Sequence, residues 1–190
     1  GLGLVGKRHA DAIRQVEGVE LAAIVDLTAE AKQFAREQGI ACFSDLAEVF
    51  AADRPDGVIL STPTLLHAEQ GLACIAQKCP VLIEKPLAAT VAEATQIAIA
   101  GAKANVPVLV GHHRRHNPII QKAKEIIASG AIGQIRTVQA TCWFYKPDSY
   151  FAEAPWRTQK GAGPISVNLV HDVDLIRHLC GEIVSVQAQA

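Results

Sequence analysis

The sequence predicts an α/β protein in two parts. Residues 1–111 are expected to form a doubly wound parallel sheet, and residues 112–190 an α+β domain with a mostly antiparallel sheet. In the first part, short apolar strands alternate with helical segments about every twenty residues, which is typical of parallel sheets. Beyond residue 133, apolar and polar side chains alternate along the chain, which predicts strands with one exposed face.

Composition excludes several kinds of partner. The formal net charge is −1 over 190 residues, so nothing favours nucleic acid or an anionic membrane. No apolar run reaches the ~18–20 residues of a membrane span, and the glycine-rich start does not resemble a secretory signal. The cysteines are odd in number and form no C-x-x-C pair, which predicts reduced thiols in a cytoplasmic protein: Cys42, Cys74, Cys79, Cys142 and Cys180.

The first segment, Gly1 to Gly6, fits the pattern G-x-G-x-x-G. Gly1 allows a tight turn, Gly3 lets the backbone approach a pyrophosphate, and Gly6 lets the following helix pack closely against a strand. The strand that should precede this motif is missing, and the chain contains no methionine. We therefore expect the sequence to be truncated at both ends and unstable when expressed as written.

A buried strand, 20–26, ends at Asp26, about where this motif places an acid for the adenosine ribose hydroxyls. The alternative is a helix cap or turn residue. Because Leu27 and Thr28 supply no arginine for a 2′-phosphate, the pattern favours NAD over NADP. Together with the glycines, Asp26 predicts a Rossmann dinucleotide-binding domain over residues 1–111.

Helices and strands then alternate to residue 110. The sequence predicts helices over 28–38, from 44 or 45, over 65–76 and over 90–104, with strands at 57–60, 81–83 and 106–110. Ser61, Thr62 and Pro63 follow a strand, where they would border the nicotinamide or form a plain loop. His67 lies in the first turn of a helix, where a cap or surface histidine is the commoner case.

The most informative stretch is Val81 to Pro86, in which three apolar strand formers run into Glu84, Lys85 and Pro86. This pattern delivers Lys85 to the carboxyl end of a buried strand, where open α/β sheets bind ligands. The next strand runs into the basic segment 111–118. There His112 and His116 have the i, i+4 spacing of zinc ligands, and His113 lies between them, so a zinc enzyme is one alternative. A cluster facing a polyhydroxylated or anionic substrate fits this segment better.

The second part predicts a helix over 119–129, an alternating strand over 134–144 and a loop over 150–157. A glycine-rich segment containing Gly161 and Gly163 then leads into a helix that ends near Leu179, before Gly181. On that helix Asn168, His171 and Leu175 share a face. A further alternating strand begins at 183.

In their order and spacing, these motifs resemble the glucose–fructose oxidoreductase, inositol dehydrogenase and rhizopine catabolism family, Gfo/Idh/MocA. The matching segments cover the whole chain: Gly1 to Gly6, Asp26, Ser61 to Pro63, Glu84 to Pro86, 111–118, Trp156–Arg157, and Gly161 to Asp174. The resemblance implies a Rossmann domain followed by an α/β domain whose open sheet often forms the contact of a homodimer or homotetramer. Members are usually longer than this chain.

The resemblance also implies site residues. Lys85 would lie beside nicotinamide and substrate, Glu84 would belong to the cofactor site, and His171 would be the general base. Many members place an aspartate four residues before that histidine, where this chain has Val167. Valine cannot accept a proton, and the neighbouring Asn168 can hydrogen-bond but not act as a base. The remaining candidate substrate contacts are Arg114, His116, Trp156 and Arg157.

Three functions are thus open. The first is an NAD-dependent dehydrogenase for a secondary alcohol of a sugar, cyclitol or similar polyhydroxy compound, with no metal. In it His171 takes the hydroxyl proton and Lys85 stabilises the alkoxide; otherwise His171 is a helix residue bonded to Asp174 or Asn168. The second is a non-catalytic nucleotide-binding sensor or scaffold, suggested by Val167, and the third is the zinc enzyme.

Overall fold

The computed structural model describes residues 1–159, 163 and 165–189. The chain divides into two compact units, one spanning Gly1–Gly111 and the other beginning at His112. Among the described residues, no helix has both the length and the apolar character needed to cross a membrane. Gly161, in the predicted glycine-rich segment, lies outside these residues.

The first unit contains five short strands, and every pair of neighbours is parallel: β1 (Ala23–Val25), β2 (Ala41–Phe43), β3 (Val58–Leu60), β4 (Val81–Ile83) and β5 (Val108–Val110). They form one sheet of order β1-β2 and another of order β3-β4-β5. An open cleft of about 750 Å³ is lined by β1 on one side and β3 on the other. These parallel strands confirm the class predicted for the first part.

Five helices alternate with these strands: α1 (Leu4–Ile13), α2 (Ala29–Gln38), α3 (Leu46–Ala52), α4 (His67–Ala76) and α5 (Val91–Ala104). Their ends follow the local chemistry. Thr28 caps α2 by accepting the Ala31 N–H, and Thr90 forms a capping box with Glu93 at the start of α5. Gly39 ends α2 in the left-handed conformation that glycine adopts at little cost.

The main core of this unit lies between β3-β4-β5 and the helices α4 and α5. Ile83 and Ile97 are fully buried at its centre. Helix α5 approaches β5 so closely that a Cβ on Gly101 would lie 2.8 Å from Val108 Cγ2. A smaller cluster around Ile24 and Ala10 joins β1 to α1 and α2. Both clusters hold the carboxyl ends of the strands in fixed positions.

The second unit is helical where it is regular. Its elements are a 3₁₀ turn (His113–His116), α6 (Pro118–Ala128), α7 (Asp148–Ala152), a second 3₁₀ turn (Pro155–Thr158), a π-helix (Ile165–Leu169) and α8 (Val170–Cys180). Helix α8 packs against α6 and against the first 3₁₀ turn. Asn117 caps α6 by accepting the Ile119 N–H.

The predicted strands of the second unit are not formed in the described residues. Residues 134–144 and 183–188 alternate in sequence but have no ladder of backbone hydrogen bonds to another segment. The alternation of apolar and polar residues indicates which face of a strand would be exposed. A strand forms, however, only when its backbone N–H and C=O groups pair with those of a neighbouring strand. The segment 150–157, predicted as a loop, instead contains the end of α7 and most of a 3₁₀ turn.

Candidate active site

The glycine motif forms a tight turn into α1. A Cβ on Gly6 would lie 2.1 Å from the Gly1 carbonyl oxygen, so a larger residue there would force the turn open. A Cβ on Gly1 would lie 2.9 Å from the Ser61 carbonyl oxygen. At Gly3 a Cβ would meet nothing within 4 Å, so the backbone is open to space in front of the helix. This arrangement fits a pyrophosphate at the N-terminus of α1.

Asp26 directly follows β1 and holds the glycine turn. Its Oδ2 accepts the Leu2 N–H at 2.6 Å, while Oδ1 accepts the backbone N–H and the hydroxyl of Thr28 at 2.8 and 2.7 Å. Burial alone would raise the pKa of Asp26, but these three hydrogen bonds more than offset it, and the pKa lies below its usual value. A carboxylate offers about four acceptor positions, so Oδ2 retains one. Asp26 therefore orders the turn and can still accept a ribose hydroxyl.

The loop after β3 is tied to the glycine turn. The Ser61 hydroxyl donates to the Gly1 carbonyl at 2.7 Å, and the Thr62 hydroxyl donates to Gln70 Oε1 at 2.6 Å. Pro63 precedes a 3₁₀ turn, Thr64–Leu66, that leads into α4. The three residues predicted to border the nicotinamide therefore lie beside the predicted pyrophosphate turn, and their conformation is fixed by hydrogen bonds.

Lys85 follows β4, at the same sheet edge. The Glu84 N–H donates to the Leu60 carbonyl at 2.9 Å, which aligns the two strand ends. Glu84 Oε1 lies 2.8 Å from His9 Nε2 on α1, and Oε2 accepts the Lys85 N–H at 3.2 Å. Burial opposes the Glu84 charge, yet these bonds and the nearby cations lower its pKa. The Lys85–Pro86 peptide is cis.

Gly111, at the end of β5, completes the packing around Glu84. A Cβ there would lie 2.8 to 3.0 Å from the Glu84 carboxyl group. The carboxylate is also held by His9, so it has little room to move away. The loops after β3, β4 and β5 thus come together in one place, as expected for the carboxyl edge of a parallel sheet.

In the second unit, the basic segment after β5 is joined to α8 by ion pairs. Arg114 Nη1 lies 2.8 Å from Asp172 Oδ1, and Arg115 contacts both oxygens of Asp174 through Nε and Nη2. Asp174 is buried, and its pKa lies below the usual value because hydrogen bonds from Arg115 and nearby positive charge outweigh its burial. Arg114, predicted as a ligand contact, is therefore engaged by an acid of its own unit.

His171 lies in the first turn of α8. Its ring stacks edge-on against His113, with centroids 5.0 Å apart. Val167 and Asn168 belong to the π-helix that precedes α8, so the α-helical spacing used to place Asn168 beside His171 does not apply across this junction. Asp174, one predicted alternative partner of His171, accepts hydrogen bonds from Arg115 and lies 3.6 Å from His112.

The remaining predicted contacts are His116, Arg157 and Trp156. His116 is exposed at the end of its 3₁₀ turn. Arg157 stacks on the Tyr150 ring at 3.9 Å and donates to the Tyr150 carbonyl. Trp156 lies in the second 3₁₀ turn, and its side chain is outside the described part of the structure.

A zinc centre receives no support from the part of the chain that the structure describes. There, no three His, Cys, Asp or Glu side chains lie close enough together to hold a metal ion. His112 instead has Asp174 as a neighbour.

Two histidines at the carboxyl edge were not assigned to the site from the sequence. His9 binds Glu84, and His67, expected to be a cap or surface residue, is 1% exposed. His67 is the first residue of α4, and His9 lies in the second turn of α1; both helices begin near this edge. The positions of these histidines near the starts of helices could be noted from the sequence, but such positions do not identify a partner. The partner of His9 is Glu84, which is 75 residues away.

Comparisons with known proteins agree with this architecture. The family described as "Oxidoreductase family, NAD-binding Rossmann fold" (GFO_IDH_MocA) matches residues 1–112, and "GFO/IDH/MocA C-terminal domain" matches residues 120–190. The 4-carboxy-2-hydroxymuconate-6-semialdehyde dehydrogenase of Sphingobium sp. is 32% identical over 99% of this chain and 60% of its own length. Inositol 2-dehydrogenase 2 of Mycolicibacterium vanbaalenii is 32% identical over 98% of this chain and 54% of its own.

A solved structure gives the same result. The WlbA dehydrogenase from Bordetella pertussis, in complex with NADH and UDP-GlcNAcA, superposes with a TM-score of 0.89 at 30% identity. That alignment covers 95% of this chain and 54% of the WlbA chain. The present chain thus spans 54–60% of the length of these relatives. From its glycine turn to the helix that carries His171, the chain belongs to the Gfo/Idh/MocA family of oxidoreductases.

Proposed function

We propose that the protein is an NAD-dependent oxidoreductase that transfers a hydride between nicotinamide and a secondary alcohol of a sugar, cyclitol or similar polyhydroxy compound. One observation carries the proposal. Lys85 follows a buried strand at the same sheet edge as the open glycine turn, and hydrogen bonds hold the residue on each side of it, Glu84 and Pro86. An ammonium group so placed can meet a substrate bound next to a dinucleotide.

Relatives support the substrate class. Those named inositol 2-dehydrogenase and levoglucosan dehydrogenase are cyclitol and sugar dehydrogenases, and the similar WlbA structure is a complex with NADH and UDP-GlcNAcA. We therefore assign residues 1–111 to cofactor binding and residues 112–190 to substrate binding.

The chain's own residues supply position and charge. Bound NAD supplies the hydride acceptor, or NADH the donor. Lys85 stabilises negative charge that develops on the substrate oxygen, a role comparable to a preorganised oxyanion donor. His171 takes the hydroxyl proton, because imidazole has an ordinary pKa near neutral pH. Thr62 and Pro63 form the wall beside the nicotinamide ring.

Asp26 favours NAD over NADP. Its carboxylate has one acceptor position left for a ribose hydroxyl, and its low pKa keeps it charged. A 2′-phosphate would bring a second negative charge to the same place, and neither Leu27 nor Thr28 offers a cation to balance it. The protein should therefore bind NADH more tightly than NADPH.

The test uses the full-length protein. NADH is titrated by its fluorescence, and polyols and sugars are then screened by absorbance at the nicotinamide band. Lys85→Ala should lower kcat by roughly 10²–10³, as loss of an oxyanion donor does. Lys103→Ala removes an exposed lysine of α5 and should leave kcat unchanged. Turnover that is equal in both variants would contradict the role of Lys85.

A second candidate, a non-catalytic NAD-binding sensor or scaffold, is favoured by Val167. This residue stands where many family members have an aspartate, and valine can neither hold a hydroxyl nor accept a proton. The same titration separates the two functions. A sensor would bind NADH tightly, turn over none of the polyols and show no response to Lys85→Ala.

For the second unit we propose that the alternating segments 134–144 and 183–188 enter an antiparallel sheet that forms a homodimer or homotetramer contact. The support for this proposal is that both segments expose large apolar side chains, including Trp143 at 90%, Val184 at 97% and Val186 at 80%. Light scattering of the full-length protein tests the oligomer: a monomeric mass would exclude it.

We also propose a cytoplasmic protein, since its five cysteines form no disulfide in the structure.

A further inference from the structure

His67 is a buried histidine that the proposed chemistry does not use. It is the first residue of α4, directly after the 3₁₀ turn Thr64–Leu66, and only 1% of it is exposed. Polar side chains are rarely buried to this extent unless hydrogen bonds compensate for the loss of water. The partners of its ring therefore indicate what the residue does.

Both ring nitrogens of His67 face backbone carbonyl groups. Nδ1 lies 2.9 Å from the Pro86 oxygen, and Nε2 lies 2.9 Å from the Thr62 oxygen. A carbonyl oxygen can only accept and a neutral imidazole carries one N–H, so the ring donates to Pro86 or to Thr62 according to its tautomer and packs against the other carbonyl. The imidazole thus spans the loop after β3 and the loop after β4, and it joins no other described backbone group.

The two loops are those that flank the proposed reaction. Pro86 directly follows Lys85, and Thr62 lies in the wall assigned to the nicotinamide. On the other side of Lys85, Glu84 is fixed by His9 at 2.8 Å and by the Leu60 carbonyl at 2.9 Å. The peptide that carries Lys85 is therefore held before and after the residue, by different histidines from different helices.

We propose that His67 is a positioning residue that sets the distance between the Lys85 ammonium group and the Thr62 wall. This inference rests on the proposed function, because it assumes that Lys85 acts on a substrate at that wall. The ring is a rigid spacer between two carbonyl oxygens. Without it, the hydrogen bond that holds the loop at Pro86 is lost, and a displacement of about 1 Å is enough to slow a positioned reaction by roughly 10²-fold.

Three substitutions in the full-length protein separate the contact of His67 with Pro86 from its contact with Thr62. Asn places its amide nitrogen near the position of Nδ1, so His67→Asn keeps a donor for Pro86. Gln places its nitrogen near Nε2, so His67→Gln keeps a donor for Thr62 only, and His67→Phe fills the space without any donor. We expect kcat of His67→Asn to stay within about fivefold of the parent, and that of the other two to fall roughly 10²-fold.

A second readout does not depend on turnover. Labelling of lysines by trinitrobenzenesulfonate, quantified by peptide mass spectrometry, reports the mobility and exposure of each amine. Lys85 should label at least about threefold faster in His67→Gln and His67→Phe than in the parent, because opening of a loop raises its reactivity. Labelling should be nearly unchanged in His67→Asn, and Lys103 serves as the internal reference.

The outcomes distinguish this inference from the proposed function. If Lys85→Ala leaves turnover intact, the function assigned to Lys85 is wrong, while the labelling still tests whether His67 holds its loop. Equal Lys85 labelling in the parent and His67→Gln, both folded by circular dichroism, would overturn the inference. So would a kcat of His67→Asn as low as that of His67→Gln. Glu69→Gln, an exposed change on α4, is the matched control and should alter neither readout.

Discussion

At the scale of single residues, the carboxyl edge is held by side chains that satisfy one another. Glu84 is 13% exposed, accepts a hydrogen bond from the Lys85 N–H and lies within bonding distance of His9. Burial alone would raise the pKa of Glu84, but the hydrogen bonds and positive charges of His9 and Lys85 more than offset burial, so the pKa lies below its usual value. The charge of Glu84 is thus part of the structure around Lys85.

We predict that Glu84→Gln lowers the free energy of unfolding by about 1 kcal/mol at pH 7. Because the Glu84 pKa is lower in the folded state, its contribution is complete above the unfolded value near ~4.3. The contribution disappears as pH falls through the folded pKa. Urea unfolding of both proteins from pH 7 to pH 3 should show the difference shrinking. Glu17→Gln, an exposed change, should show no difference at any pH.

The residue types at the site could be predicted from the sequence, but several of their partners could not. Local sequence signals were the glycines, an acid at a strand end and a lysine before a proline. In the structure these residues lie at the carboxyl edge of the parallel strands. The contacts of Glu84 with His9 and of His67 with Pro86 join residues 75 and 19 positions apart. Such pairs depend on how helices pack on the sheet, which no local pattern specifies.

At the scale of elements, two aspartate side chains near the start of α8 attach the helix to a neighbouring turn. Asp172 binds Arg114, and Asp174 binds Arg115, so the first turns of the helix are fixed to the 3₁₀ turn His113–His116. His171 lies next to Asp172, and its ring contacts His113 of the same 3₁₀ turn. The orientation of the proposed base therefore depends on these ion pairs.

We predict that Asp174→Asn destabilises the second unit by about 2 kcal/mol, a value that allows for the exposure of Arg115. The Asp174 pKa is lowered, so its contribution is present above the unfolded value near ~3.9 and is lost as pH falls through the folded pKa. Denaturation of the full-length protein at pH 7 and pH 3 measures both. Glu153→Gln, exposed after α7, is the control; equal stability of Asp174→Asn and the parent at pH 7 would contradict the prediction.

Element prediction succeeded where the signal was local. Strands that end in polar residues, such as Val81–Ile83, and helices with a cap and a terminal glycine, such as Ala29–Gln38, agree closely with the structure. Strand Ala41–Phe43 was not predicted, because it contains none of the β-branched residues that mark the predicted strands. The alternating segment 134–144 was predicted as a strand, but a strand also needs a partner, and none is paired with it in the described residues.

At the scale of the whole molecule, the proposed reaction draws on both units. Lys85 lies in the first unit and His171 in the second, and each is held by contacts within its own unit. Hydride transfer from an alcohol also requires loss of the hydroxyl proton. In the proposed mechanism both residues act on the same transition state, so their effects on rate should depend on each other.

We predict that Lys85→Ala and His171→Ala are strongly non-additive in the full-length protein. Each change alone should lower kcat by roughly 10²–10³, and the double variant should be little slower than the slower single variant, as for groups that act as a unit. Initial rates at saturating NAD and polyol provide the measurement. Lys103→Ala combined with His171→Ala is the matched control and should equal His171→Ala. If the two losses multiply instead, Lys85 and His171 act independently, and the assignment of both to one reacting carbon is wrong.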